Sequence, residues 1–151
     1  MKTRRLGIVG LLGIGLVLVL CSCGGGSGTK KLSKAELATQ ANKICSAYHK
    51  KAKAIPRATS QAEYPKAFRK VADLATAEAA ELGKLTPPSE EKAAYQQFLK
   101  IESEQIQRIR DLASLYEKGD TTKASKVTAA GNAADKKSNA LLKQLGAETC
   151  A

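Results

Sequence analysis

Apolar residues recur at every third or fourth position along most of the chain beyond residue 33, which is the spacing of one face of an α-helix. The first two such stripes are Leu37, Ala41, Ile44, Tyr48, Ala52 and Ile55, and then Tyr64, Phe68, Val71, Ala75, Ala79 and Leu82. The next two are Tyr95, Phe98, Ile101, Gln105, Ile109, Leu112 and Tyr116, and then Ala124, Val127, Gly131, Ala134, Ser138, Leu141 and Leu145. The pattern predicts four amphipathic helices around a common core.

Capping residues and helix breakers predict the helix boundaries. Ser33 with Glu36, and Ser60 with Glu63, have the spacing of a capping box at the start of the first and second helices. Pro65 is expected to bend the second helix or to delay its start. The third helix is predicted to begin at residue 88 or 89 and end at 118, and the fourth is predicted over residues 121–145. Stops are predicted at Pro56, Gly83, Thr86-Pro87-Pro88 and Gly119-Asp120.

Three short connections between four helices favour antiparallel neighbours. The composition is rich in alanine, leucine, lysine and glutamate and contains no tryptophan, which favours helix over strand. The predicted fold class is therefore all-α, an up-down-up-down four-helix bundle over residues 33–151.

The first 22 residues have the parts of a secretory signal peptide. Lys2, Arg4 and Arg5 form a basic start, and an apolar core follows from residue 6 to residue 20. A spanning helix needs about 20 apolar residues, so an uncleaved single-pass anchor is the weaker alternative. The Arg4-Arg5 pair leaves open whether export follows the general or the twin-arginine route.

The end of this core, Leu20-Cys21-Ser22-Cys23-Gly24, resembles the lipobox of bacterial lipoproteins. In that class a small residue usually precedes the acylated cysteine, which favours Cys23 after Ser22 over Cys21 after Leu20. The resemblance implies lipidation at Cys23, a signal peptide over residues 1–22 and a location on the extracytoplasmic face of the cell membrane. Residues 23–32 are then the lipid anchor and a flexible, glycine-rich tether.

Cleavage before Cys23 would leave two cysteines besides the acylated one, Cys45 and Cys150. Because an exported protein meets an oxidising environment, these two are predicted to form a disulfide, with two free buried thiols as the alternative. The segment LSKAELATQANKIC, the Leu85-Thr86-Pro87-Pro88 turn and the terminal cysteine resemble a group of small uncharacterised helical lipoproteins of Gram-positive bacteria. That resemblance implies no activity.

Residues for metal or catalytic chemistry are sparse. The chain has one histidine, His49, and one methionine, which lies in the signal peptide. Glu102 and Glu104 are two residues apart and face different sides of a helix, so they do not form a carboxylate pair. No phosphate-binding glycine loop or serine nucleophile motif occurs. The sequence therefore predicts no enzyme, no cofactor and no metal site.

The excess of basic over acidic residues is the main indication of function in the sequence. Cleavage before Cys23 leaves 22 Lys and Arg against 14 Asp and Glu, and residues 30–57 contain eight basic residues against one acidic residue. The basic surface is predicted to contain Lys30, Lys31, Lys34, Lys43, Lys50, Lys53 and Arg57. It is expected to contact anionic lipid, an anionic wall polymer or a partner protein, whereas nucleic acid is not expected outside the cell. A solvated helix face is the plainer interpretation.

A second hypothesis places the function inside the bundle. Small residues near Gly131 and Ser138 are predicted to leave room for an apolar ligand, which would make the protein a carrier or a sensor.

Overall fold

The computed structural model describes residues 31–151, and in this range the chain is helical without strands. Its four helices are α1 (Lys34–Lys53), α2 (Tyr64–Leu82), α3 (Lys92–Glu117) and α4 (Thr121–Leu145). Short 3₁₀ turns at Gln61–Glu63 and Glu148–Cys150 complete the described part. The prediction of an all-α four-helix bundle is confirmed. The predicted signal peptide, the lipidation site Cys23 and Lys30 lie outside the described residues.

The helices run up, down, up and down, and each packs against the next. We call the end of the bundle at which residue 31 lies the entry end. It contains the start of α1, the α2–α3 connection and the end of α4, and the Leu32 amide donates to the Thr86 carbonyl there at 2.9 Å. The opposite end, with the α1–α2 connection and the α3–α4 corner, we call the far end.

The start of α1 is capped as predicted, whereas the start of α2 is not. The Ser33 hydroxyl accepts from the Glu36 amide at 3.2 Å, and the Glu36 carboxylate accepts from the Ser33 amide at 2.8 Å. Ser60 makes no side-chain cap. The Glu63 carboxylate instead accepts from the amide and the hydroxyl of Thr59, at 2.7 and 3.0 Å. The second capping box was therefore wrong.

Pro65 explains where α2 begins. The helix starts at Tyr64, so Pro65 lies in its first turn, where a residue without an N–H loses no helical hydrogen bond. Of the two predicted effects of Pro65, the delayed start is therefore the one observed. The predicted start of the third helix at residue 88 or 89 was too early, because a turn from Pro88 to Glu91 precedes α3.

The core is concentrated at the entry end. One cluster of buried residues joins all four helices there: Leu37, Ala41, Cys45, Leu82, Tyr95, Phe98, Leu142, Leu145 and Ala147. The Tyr95 hydroxyl donates to the Leu82 carbonyl at 2.7 Å, and burial raises its pKa. Burial of α1 ends at Cys45. The predicted stripe fails in the second half of α1, where Ala52 is exposed and Tyr48 is only half-buried.

Candidate functional site: a cationic surface and a tied C-terminus

Cys45 and Cys150 lie together at the entry end. Their sulfur atoms are 2.00 Å apart, which is bonding distance, and their Cα atoms are 5.0 Å apart. Cys45 is 1% exposed and Cys150 is partly buried, so the pair joins the strap to the core from its edge. The predicted pairing of these two cysteines is confirmed.

The residues after α4 form a strap, Gly146–Ala151, that crosses onto α1. Gly146 has a left-handed φ of 71°, which ends α4 and turns the chain. Asn42 holds the strap twice, because its amide nitrogen donates to the Gly146 carbonyl at 3.1 Å and its oxygen accepts from the Thr149 amide at 2.9 Å. Sequence reasoning missed Asn42. The available signal was its position three residues before Cys45, on nearly the same helix face.

The predicted basic surface is divided in the structure. Lys31 donates to the Ser89 hydroxyl at 3.2 Å, and Lys34 pairs with Glu91 at 2.7 Å. Glu91 is only 7% exposed; Lys34 pairs with its Oε1, and its buried Oε2 has no hydrogen-bond partner among residues 31–151. These two lysines therefore tie the start of α1 to the α2–α3 connection, and they contribute less to a binding surface than their charge suggests.

The remaining predicted cations are available to solvent. Lys43, Lys50, Lys53 and Arg57 are exposed, and none has a carboxylate within ion-pair distance among residues 31–151. Lys51 lies over the ring of Tyr48, 4.3 Å from its centre. The exposed cations follow the outer side of α1 from its middle to the far end.

Arg57 reaches a cleft of about 280 Å³ at the far end, between the α1–α2 connection and the first turns of α2. Lys66 and Lys70 lie along the same cleft. The one carboxylate there, Glu63, is engaged by Thr59, and this hydrogen bonding lowers its pKa. The cleft therefore presents three cations against one carboxylate that is already hydrogen-bonded. Lys66 and Lys70 were not among the predicted surface residues.

Polar side chains of α2, α3 and α4 meet above the entry-end core, and we call them the interior polar layer. Ser138 is buried, Glu78, Glu102 and Gln105 are partly buried, and Asp135 is exposed. Ser138 donates to the Glu102 carboxylate at 3.0 Å, and Gln105 bonds to Asp135. Burial raises the pKa of Glu102 despite the Ser138 bond, and the Asp135 charge adds to the rise. Burial, followed by the charge of Glu102, raises the pKa of Glu78 to about 7. The sequence pattern did not reveal this layer, because its members come from three helices.

Within residues 31–151 no group of three or more His, Cys, Asp and Glu side chains is arranged to hold a metal ion. His49 is half-buried on α1. None of the helices in that range is both long and apolar enough to cross a membrane. Comparisons with protein families, with curated proteins and with solved structures found no match for this chain.

Proposed function

We propose that the protein is a non-enzymatic lipoprotein, anchored through Cys23 on the extracytoplasmic face of the cell membrane, whose basic surface binds an anionic partner in the envelope. The observation that carries the binding is a row of exposed cations, Lys43, Lys50 and Lys53 on α1 and Arg57 just after it, without ion pairs in the described chain. A cation near an anionic surface contributes up to about 1 kcal/mol. Four together are enough for salt-sensitive binding.

The anchoring is supported by the lipobox and by the cysteine pair, which fits an oxidising compartment. Intact-mass measurement of protein from its native membrane tests it. We expect a diacylglyceryl adduct on a chain that begins at Cys23. Cys23→Ser removes the adduct and releases the protein from the membrane fraction, whereas Cys21→Ser leaves both unchanged. Acylation that is lost with Cys21 instead would contradict the assignment.

The surface is tested with acylated protein in neutral phosphatidylcholine vesicles, flowed over an immobilised anionic bilayer or over purified wall material. We expect binding that weakens when NaCl rises from about 50 mM to about 200 mM. Lys43→Glu, Lys50→Glu and Lys53→Glu together should abolish it. The matched control reverses three exposed lysines of α4, Lys136, Lys137 and Lys143, and changes net charge equally. Equal loss in both variants would contradict a role for α1.

The interior is the less favoured place for the function. Ser138 is buried and bonded to Glu102, and the nearest atom to a side chain added at Gly131 is the Gln105 amide oxygen at 3.8 Å. An apolar ligand at this level would face carboxylates and amides, whose burial without hydrogen bonds is costly. These contacts favour the surface proposal over the carrier hypothesis.

A further inference from the structure

Charge is distributed unequally along the bundle axis. The entry half, residues 31–45, 76–105 and 133–151, has nine Lys and Arg against nine Asp and Glu. The far half, residues 46–75 and 106–132, has twelve against five, a net charge of +7. The dividing line is not arbitrary, because residues 44–49, 74–77, 105–107 and 127–134 contain no Lys, Arg, Asp or Glu. The whole net charge of the described chain therefore lies in the far half.

The few carboxylates of the far half are mostly occupied. Glu117 binds Arg69 through both oxygens, at 2.5 and 2.6 Å, and Asp120 caps α4 while pairing with Lys123 at 3.0 Å. Glu63 is held by Thr59, and Asp111 accepts from Gln107 at 2.9 Å. No ion pair among residues 31–151 involves Lys53, Arg57, Lys66, Lys70, Lys118 or Lys126. These cations are available to an external anion.

Two surface clefts concentrate the available cations. The first is the cleft with Arg57, Lys66 and Lys70. The second, about 410 Å³, lies at the α3–α4 corner, where Lys118 and Lys126 line it beside Asp111 and beside Lys123, which pairs with Asp120. At the same end of the bundle, the rings of Tyr64, Phe68 and Tyr116, from the start of α2 and the end of α3, lie with centres 5.0 to 6.1 Å apart, and Tyr64 is 37% exposed. The far end therefore offers two separate groups of cations to an anion long enough to contact both.

The distance between the far end and the membrane anchor limits which anions the far end can contact. The chain before residue 31 joins the bundle at the entry end, and the 26 residues of α3 separate the two ends by about 39 Å. Electrostatic attraction in physiological salt decays over about 8 Å. If residue 23 carries the anchor, as the proposed function requires, a bundle standing on its anchor holds these cations beyond the reach of its own membrane.

From this we infer that the far end binds a linear polyanion with repeated phosphodiester groups that extends outwards from the membrane. The inference rests on the proposed function and specifies its partner. Several weak cation contacts along one polymer add up because the phosphates are linked, so one binding event brings the next phosphate close. Affinity should fall steeply with salt, as for other polyelectrolytes.

The test uses acylated full-length protein in neutral phosphatidylcholine vesicles and immobilised synthetic poly(glycerol phosphate). A supported bilayer that contains phosphatidylglycerol is the lipid arm. The far variant is K66E/K70E. The control is K100E/K137E, because these exposed lysines line a similar cleft in the entry half, about 320 Å³ with one glutamate, Glu104. Both variants lower the net charge by the same amount. Circular dichroism verifies that both remain helical.

We expect the wild type to bind the polymer, with affinity falling about tenfold between about 50 and 200 mM NaCl. K66E/K70E should weaken polymer binding about tenfold, and K100E/K137E should change it less than about threefold. Equal weakening by both variants, absence of polymer binding at low salt, or binding to the lipid arm alone would each overturn the inference. Continued membrane association of C23S, or unchanged binding by the α1 triple variant, would contradict the proposed function, whereas the inference is tested by comparing K66E/K70E with K100E/K137E.

Discussion

At the entry end, buried residues from all four helices form one cluster that includes Cys45, and Cys150 packs against it. At the far end, the rings of Tyr64, Phe68 and Tyr116 contact one another without full burial, and the second half of α1 keeps the apolar spacing of its first half without the burial. The difference lies in what packs against each part. The strap Gly146–Ala151 covers the first half of α1 and has no counterpart on the second half. One helix therefore serves as core at its start and as surface at its end.

The largest effect on the difference between the two ends is expected from removal of the Cys45–Cys150 disulfide. Cys45→Ala with Cys150→Ala should lower the free energy of unfolding by about 4 to 5 kcal/mol, because the 105-residue separation leaves a large loop unconstrained in the unfolded chain. Urea unfolding monitored by circular dichroism measures the loss. Reduced wild-type protein is the control and should match the variant. A loss below about 1 kcal/mol would show that packing alone holds the entry end.

Alanine substitutions of one phenylalanine at each end compare how much packing stabilises the entry end and the far end. Phe98→Ala should cost about 3 to 5 kcal/mol, since its side chain is fully buried in the entry-end cluster. Phe68→Ala at the far end should cost roughly half as much, because that side chain is only partly buried. Urea unfolding of both variants provides the comparison. Equal costs would mean that the far end is as well packed as the entry end.

Asn42→Ala tests the strap without touching the cysteines. The loss of its two hydrogen bonds to the strap should cost about 2 kcal/mol and speed amide exchange at Thr149. Asn139→Ala, an exposed position on α4, is the control and should change stability by less than about 0.5 kcal/mol. Unchanged exchange at Thr149 would mean that the strap is held by the cysteine link alone.

The smallest effect concerns the interior polar layer. The folded-state pKa of Glu78 is raised to about 7 from 4.5, so the folded chain binds more protons than the unfolded chain between these pH values, and stability falls as pH rises through this window. The side chain is partly solvated, so we expect only about 1 kcal/mol. Glu78→Gln should therefore be more stable than wild type at pH 8 and equal to it near pH 4. Glu104→Gln, at an exposed carboxylate, is the control for these pH-dependent unfolding curves.

Local patterns were enough to predict most of the helices. The four helices, the Ser33 cap and the Cys45–Cys150 pair could all be predicted from spacing, capping chemistry and cysteine count, whereas the α1 stripe held only as far as Cys45. The Ser60 cap failed because Pro65 sets the start of α2 and Thr59 takes the Glu63 carboxylate. A capping motif alone does not show which neighbour will use its side chains.

The grouping of cations into surfaces could not be predicted, because it depends on where the fold brings each end of a helix. The run of basic residues 30–57 looked like one surface, but Lys31 and Lys34 lie at one end of the bundle, just before and at the start of α1, and Lys53 lies towards the other end. Lys66 and Lys70 lie on α2, and they share a cleft with Arg57 because the α1–α2 connection lies beside the first turns of that helix. Their charge is visible in the sequence, but their shared cleft requires the fold.

The distance along the chain between Cys45 and Cys150 also fixes an order of events during biogenesis. Cys150 is added to the chain 105 residues after Cys45, so the Cys45 thiol has to wait for α4 and the strap before it meets this partner. Closure of the link therefore requires that synthesis has passed through all four helices.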